Sequence, residues 1–146
     1  MRTIVIGVGN LLRCDDGAGI HVVTRLENLH APVDVVDAAM GSVEILEAMM
    51  GYDEAYIIDA IESGGEPGTV CKVELKEGSL PSIRYSHGVD LATTIQLGRQ
   101  LYGDKLPKLI TLLSIEAQDT TTLSERCTPL VEEGVEEVIR EILQNL

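Results

Sequence analysis

The stretch MRTIVIGVGNLLRCDDGAGIHVV, residues 1–23, decides how the rest of this chain is read. Thr3-Ile4-Val5-Ile6 is a β-branched run that predicts a buried strand over 3–6, with Val8 just beyond. Gly7-Val8-Gly9-Asn10 reads as a glycine turn, and the loop after it carries two adjacent acids, Asp15 and Asp16. A helix then starts at about Gly17 and runs to about Leu29, with Val22, Val23, Leu26 and Leu29 at helical spacing. A strand that empties into an acidic, glycine-rich loop at a helix start is a common way to build a site on an α/β sheet. The two glycines invite a dinucleotide reading, but that fingerprint needs a third glycine three residues after the second, where this chain has Leu12. The glycines read instead as a tight turn by which the chain leaves the sheet.

Outward from this stretch the elements alternate. Pro32 separates the first helix from a strand over 33–36, which ends at Asp37. A helix over 42–50 follows, with Val43, Ile45, Leu46 and Met49 as its apolar face and Gly51 as its closing glycine. The next strand, 55–58, ends at Asp59, and a turn-rich loop (ESGGEPG, residues 62–68) leads to a strand over 69–75. That connection is too short for a parallel crossover, so the fourth strand is expected to run antiparallel. A third helix is predicted over 89–102, with Leu91, Ile95, Leu97 and Leu101 available to the core, and a continuous apolar run over 109–115 predicts a central fifth strand. The segment 116–126 is polar. Thr128-Pro129 then opens a last helix to about Gln144, whose stripe is Val131, Val135, Val138, Ile139 and Ile142. The order β-α-β-α-β-β-α-β-α predicts one domain over 1–146. Its expected fold is a three-layer α/β/α sandwich on a five-stranded, mostly parallel mixed sheet with one antiparallel strand.

The length suits a single core. With 24 acids against 11 bases the net charge is −13, which disfavours nucleic acid and anionic membrane surfaces as partners. No apolar run reaches the ~18 residues of a membrane span, and no signal-peptide pattern precedes the first strand, so a cytoplasmic protein is expected. Cys14, Cys71 and Cys127 have no CxxC spacing, and Cys71, in a strand pattern, reads as a buried small hydrophobe. The chain has neither Trp nor Phe, so its core is aliphatic.

Four residues stand out as chemistry. Asp16 reads as a site residue, and Asp15 as a helix cap or loop former. Asp59 stands at the carboxyl end of a buried strand, on the rim where α/β sheets place ligands. His87 lies in a loop just before a helix, whereas His21 and His30 read as structural or solvated. Two carboxylates and an imidazole from three loops suit a borderline divalent metal, with open positions for substrate or water. Cys14 is a poor nucleophile beside two acids, which should raise its pKa.

These residues carry a resemblance. IGVGNLLRCDDGAGIHVV (6–23) resembles the amino-terminal motif of the hydrogenase maturation endopeptidases of the HybD/HycI type, G-x-G-N, a spacer, then D-[DE]-G and a helix. IIDAIESGGEPGT (57–69) looks like that family's strand ending in an acid before a glycine-rich loop, and SHGVDL (86–91) looks like its histidine loop. The resemblance implies a protease that cuts a C-terminal extension from the large-subunit precursor of a nickel-iron hydrogenase after nickel insertion, just beyond a basic residue. It places the metal-contacting and catalytic roles on Asp16, Asp59 and His87, with nickel carried by the substrate. Residues 37–41 fall where the family often has D-G-G-T-x-G. Here the loop keeps only Asp37 and Gly41 as candidate substrate-binding residues. The implied chemistry leaves open whether the substrate's nickel polarises the peptide or a carboxylate acts as general base without it. A non-catalytic nickel-binding chaperone of the immature subunit is the alternative reading.

Overall fold

A computed structural model describes residues 1–38, 42–76 and 91–146. Its strands are β1 (Thr3–Val8), β2 (Asp34–Ala38), β3 (Glu54–Ile61), β4 (Val70–Lys76) and β5 (Leu109–Glu116). Its α-helices are α1 (Ala18–Asn28), α2 (Ser42–Met49), α3 (Leu91–Tyr102) and α4 (Pro129–Gln144). The five strands form one sheet in the order β2-β1-β3-β5-β4. Four strands are parallel and β4 pairs antiparallel with β5, as its short connection requires. The apolar run expected to be central, β5, lies between β3 and the edge strand β4, and β3 holds the middle of the sheet.

Every residue of β1 is buried, because both sheet faces are covered. On one face Ile4, Ile6, Ile57, Ile110 and Leu112 meet Ile45, Leu46 and Met49 of α2 and Leu91 and Ile95 of α3. On the other, Val5, Ile58, Leu113 and Ile115 meet Val22, Val23 and Leu26 of α1 and the whole predicted stripe of α4. Strand alternation sorts neighbours such as Ile57 and Ile58 onto opposite faces.

Several expected core positions lie outside the core. Leu29, Val43, Leu97 and Leu101 are exposed, and Leu101 retains 75% of its accessible surface. Each helix turns only one stripe to the sheet, and these side chains fall beyond it. Leu29 also follows the last turn of α1, which closes at His30. His30 takes a left-handed φ of 53°, while its N–H bonds Glu27 O at 3.0 Å and the Ala31 N–H bonds Leu26 O at 3.2 Å. His30 thus ends the helix through its backbone. Cys71, expected buried, is exposed, since it lies near the start of the edge strand β4 and belongs to neither core cluster. Among the described residues no helix is long and apolar enough to cross a membrane.

Candidate active site

The opening stretch folds around two close approaches that only glycine allows. A Cβ on Gly7 would lie 2.3 Å from Gly19 O, and one on Gly19 would lie 2.4 Å from Ile58 O and 2.8 Å from Val8 O. Gly7 is still within β1, so its role is to let α1 settle on the sheet rather than to turn the chain. The turn comes at Gly9, with φ +140°, where a Cβ would meet Asp16 O at 2.0 Å. Between Gly9 and α1 lies a 3-10 turn, Cys14–Gly17.

This turn carries both acids, and it sends them in different directions. The Asp16 side chain is 2% exposed, and its Oδ2 accepts the Asn10 N–H at 3.0 Å. Asn10 in turn accepts the Leu12 N–H on Oδ1 at 3.0 Å, so the loop from β1 is folded back onto Asp16. Asp15 is wholly buried and bonds to the segment after β5: it accepts the N–H groups of Gln118 and Asp119, each at 2.9 Å, and of Thr128 at 2.6 Å. Asp15 is therefore a loop former and caps no helix. Thr128 stands at the N-cap position of α4, but its hydroxyl turns to Asp15, at 2.8 and 3.0 Å from the two carboxylate oxygens.

Asp59 lies inside β3 instead of just past its end, because the strand continues to Ile61. It pairs in register with Ser114 and is 3% exposed, and its Oδ1 accepts the Ala60 N–H at 2.8 Å. The register sets Ile58 beside Gly7, so Asp59 follows at the carboxyl edge of the sheet where β1 gives way to the Asp16 turn. By alternation Asp59 shares the face of Ile57 and Ile61, the side covered by α2 and α3. Asp37 is exposed near the end of β2, opposite Gly7 on the same edge. His87 and Gly41 lie outside the described residues, as do residues 89 and 90 of the expected third helix. Among the described residues no three His, Cys, Asp or Glu side chains are grouped to hold a metal ion.

Past the carboxyl ends of β3 and β5 opens a cleft of about 720 Å³, walled by Glu62, Gly64 and Gly65 on one side, by residues 116–121 on the other, and by Thr128; Asp16 and Asp59 are not in its lining. Glu116 is buried and accepts the Ser63 N–H at 2.9 Å and the Ser63 hydroxyl. Thr120 donates its hydroxyl to Glu62. Asp119 accepts the N–H groups of Thr121 and Thr122, each at 3.0 Å, and the Thr122 hydroxyl at 2.5 Å, and these donors pull its pKa down to about 2. In the sequence this wall is a polar segment without a motif. Its signal was the one that singled out Asp59: Glu116 is an acid at the carboxyl end of a buried strand.

The two buried cysteines are poor nucleophiles. Burial and the neighbouring Asp15 raise the Cys14 pKa, as expected. Burial, reinforced by Asp15, pushes Cys127 up to about 12.

The family model described as hydrogenase maturation protease matches residues 20–145. A Methanocaldococcus jannaschii protein bearing that family's name is 31% identical, over 95% of both chains. The hydrogenase 2 maturation protease of Escherichia coli is 29% identical, over all of this chain and 91% of its own. The solved structure of the E. coli maturating endopeptidase HybD superposes with a TM-score of 0.77 at 28% identity, covering 100% of this chain and 92% of that one. The Thermococcus kodakarensis HybD structure, at 21% identity and 99% coverage of both chains, shares the fold with a TM-score of 0.80. The matched span, the relatives and the shared sheet agree, and the chain belongs to the hydrogenase maturation protease family, whose named members are proteases and endopeptidases.

Proposed function

We propose that this endopeptidase removes a C-terminal extension from the large-subunit precursor of a nickel-iron hydrogenase once nickel is in place. In this reading Asp16, Asp59 and His87 contact the substrate's nickel, and the metal arrives with the precursor. The observation that carries the proposal is that two buried carboxylates, Asp16 and Asp59, lie at the carboxyl edge of the sheet, with the Asp16 turn joined through Asp15 to the wall of an open cleft. Carboxylates are hard oxygen ligands and also proton acceptors, so the pair suits either contact with a divalent ion or activation of water. In the hydrolysis a water oxygen adds to the scissile carbonyl, its proton passes to a carboxylate, and the C–N bond breaks as the amine takes up a proton. The cleft receives the precursor's tail, and Asp37 and Gly41 remain the candidate substrate-binding residues of the loop after β2. The names of the relatives support the hydrogenase substrate, since the E. coli protein is a hydrogenase 2 maturation protease. Action in the cytoplasm is part of the same reading.

The test is to mix the protein with nickel-loaded and nickel-free precursor and to weigh the large subunit by mass spectrometry. The expected result is loss of a C-terminal peptide from the loaded form alone, abolished by Asp16→Asn. Equal cutting of both forms removes the metal-reading step. Full-rate cutting by Asp16→Asn removes the site assignment, and binding of precursor with no change of mass would favour a chaperone.

A further inference from the structure

Asp15 sits one residue from Asp16 yet has a different set of partners. Three backbone N–H groups, from Gln118, Asp119 and Thr128, and the Thr128 hydroxyl converge on its two oxygens at 2.6 to 3.0 Å. The link is reciprocal, because the Asp15 N–H donates to Asp119 O at 2.9 Å. An ionised carboxylate offers about four lone-pair sites. These four donors use that capacity, which leaves Asp15 little to offer a metal, a water or a substrate. The groups it holds are informative: Gln118, Asp119 and Thr128 all line the cleft. The two ends of the segment 118–128 are thereby fastened to the turn that carries Asp16. Two further bonds run alongside, Cys14 N–H to Ser124 O at 2.9 Å and Ser124 N–H to Leu12 O at 3.0 Å, so the segment follows the turn along its length.

We propose that Asp15 is a positioning residue for peptide hydrolysis. Its carboxylate fixes the wall of the cleft in register with the Asp16 turn, so that a polypeptide held in the cleft presents its scissile bond to the Asp16–Asp59 edge. This rests on the reading of the cleft as the seat of the substrate's tail. The sequence alone offers only a helix cap or loop former at this position. The structure adds that the loop so formed is the wall of the cleft.

The experiment compares steady-state cleavage of nickel-loaded precursor by the wild type, Asp15→Asn, Thr128→Val and Thr128→Ser, each well below its melting temperature. A substitution that merely unfolds part of the sample lowers apparent kcat and leaves KM where it was. A displaced wall raises KM. The expected result is a KM raised about tenfold by Asp15→Asn, whose amide N–H₂ faces donors, and about threefold by Thr128→Val, which keeps the backbone N–H but loses the hydroxyl. Thr128→Ser, which restores the hydroxyl, recovers most of that loss. A folded Asp15→Asn enzyme with wild-type KM overturns the proposal. Should that variant fail to fold, a wild-type KM for Thr128→Val does so. If the wild type cuts no precursor, the functional reading fails by itself. The wall is then judged by calorimetric binding of the precursor, and unchanged affinity in Thr128→Val overturns it.

Discussion

Replacing Gly9 by alanine tests the geometry of the opening loop most directly. Gly9 has φ +140°, and the added Cβ would stand 2.0 Å from Asp16 O and 3.2 Å from Asp16 C. Two costs add. Holding a residue with a Cβ in that sparsely populated backbone region costs about 1–3 kcal/mol. Relieving the contact requires the Asp16 carbonyl to retreat by roughly 1 Å, and overpacking of this kind costs about 1–3 kcal/mol more. The carbonyl is backbone within a 3-10 turn that Asn10 and Arg13 also bond, so it has no free rotation by which to escape. The central expectation is a loss of about 4 kcal/mol, which for a chain of this length lowers Tm by about 12 °C. Because the moving group is Asp16 itself, a shift of about 1 Å should also cost about 100-fold in cleavage of precursor. Two companions separate the causes. Gly103→Ala, at φ +53° with nothing within 4 Å, carries backbone strain only and should lose about 1–2 kcal/mol with activity intact. Gly19→Ala carries the clash with Ile58 O at 2.4 Å without a positive φ. Differential scanning calorimetry and the mass-shift assay read all three. A Gly9→Ala protein that melts within about 3 °C of the wild type and cuts normally would refute the argument, for the Asp16 turn would then not rest on Gly9.

Three further outcomes follow from the same structure. Alkylation of the folded protein near neutral pH should mark Cys71 alone, because Cys14 and Cys127 are buried with raised pKa values. Peptide mapping that finds either buried cysteine modified in folded protein would contradict this. Asp119 has a folded pKa of about 2 against an ordinary value of 3.8, so the stability it lends is present above about pH 4 and is lost as pH falls through about 2. A carbon-detected NMR titration should place its midpoint near 2, and Thr122→Val should move it upward. Leu101→Lys should change stability by less than about 0.5 kcal/mol despite lying in a helix, as thermal melts would show, whereas Ile95→Ala on the same helix should cost about 2–5 kcal/mol.

The strands were legible because parallel β-structure buried on both faces needs uninterrupted β-branched and aliphatic runs, and β1, β3 and β5 carry them. The antiparallel turn of β4 was legible from chain length alone. The α4 stripe held throughout, since it is a long helix with acids confined to its outer side. Leu97 and Leu101 misled because helical period gives the spacing of a stripe but not its width. That width depends on where the sheet beneath ends. Cys71 misled because a strand pattern does not say whether the strand is an edge.

The sequence by itself determined the fold class, the candidate acids Asp16 and Asp59, and, by its motifs, the family. These follow from local chemistry: period, turn residues and acids at strand ends. Only the tertiary structure decided what Asp15 does and where the cleft lies. Asp15 meets Gln118 and Thr128 across more than a hundred residues of chain, and the meeting depends on β1 and β5 flanking β3. Such a bond is set by the order of strands in the sheet, and no local pattern in the opening stretch encodes that order.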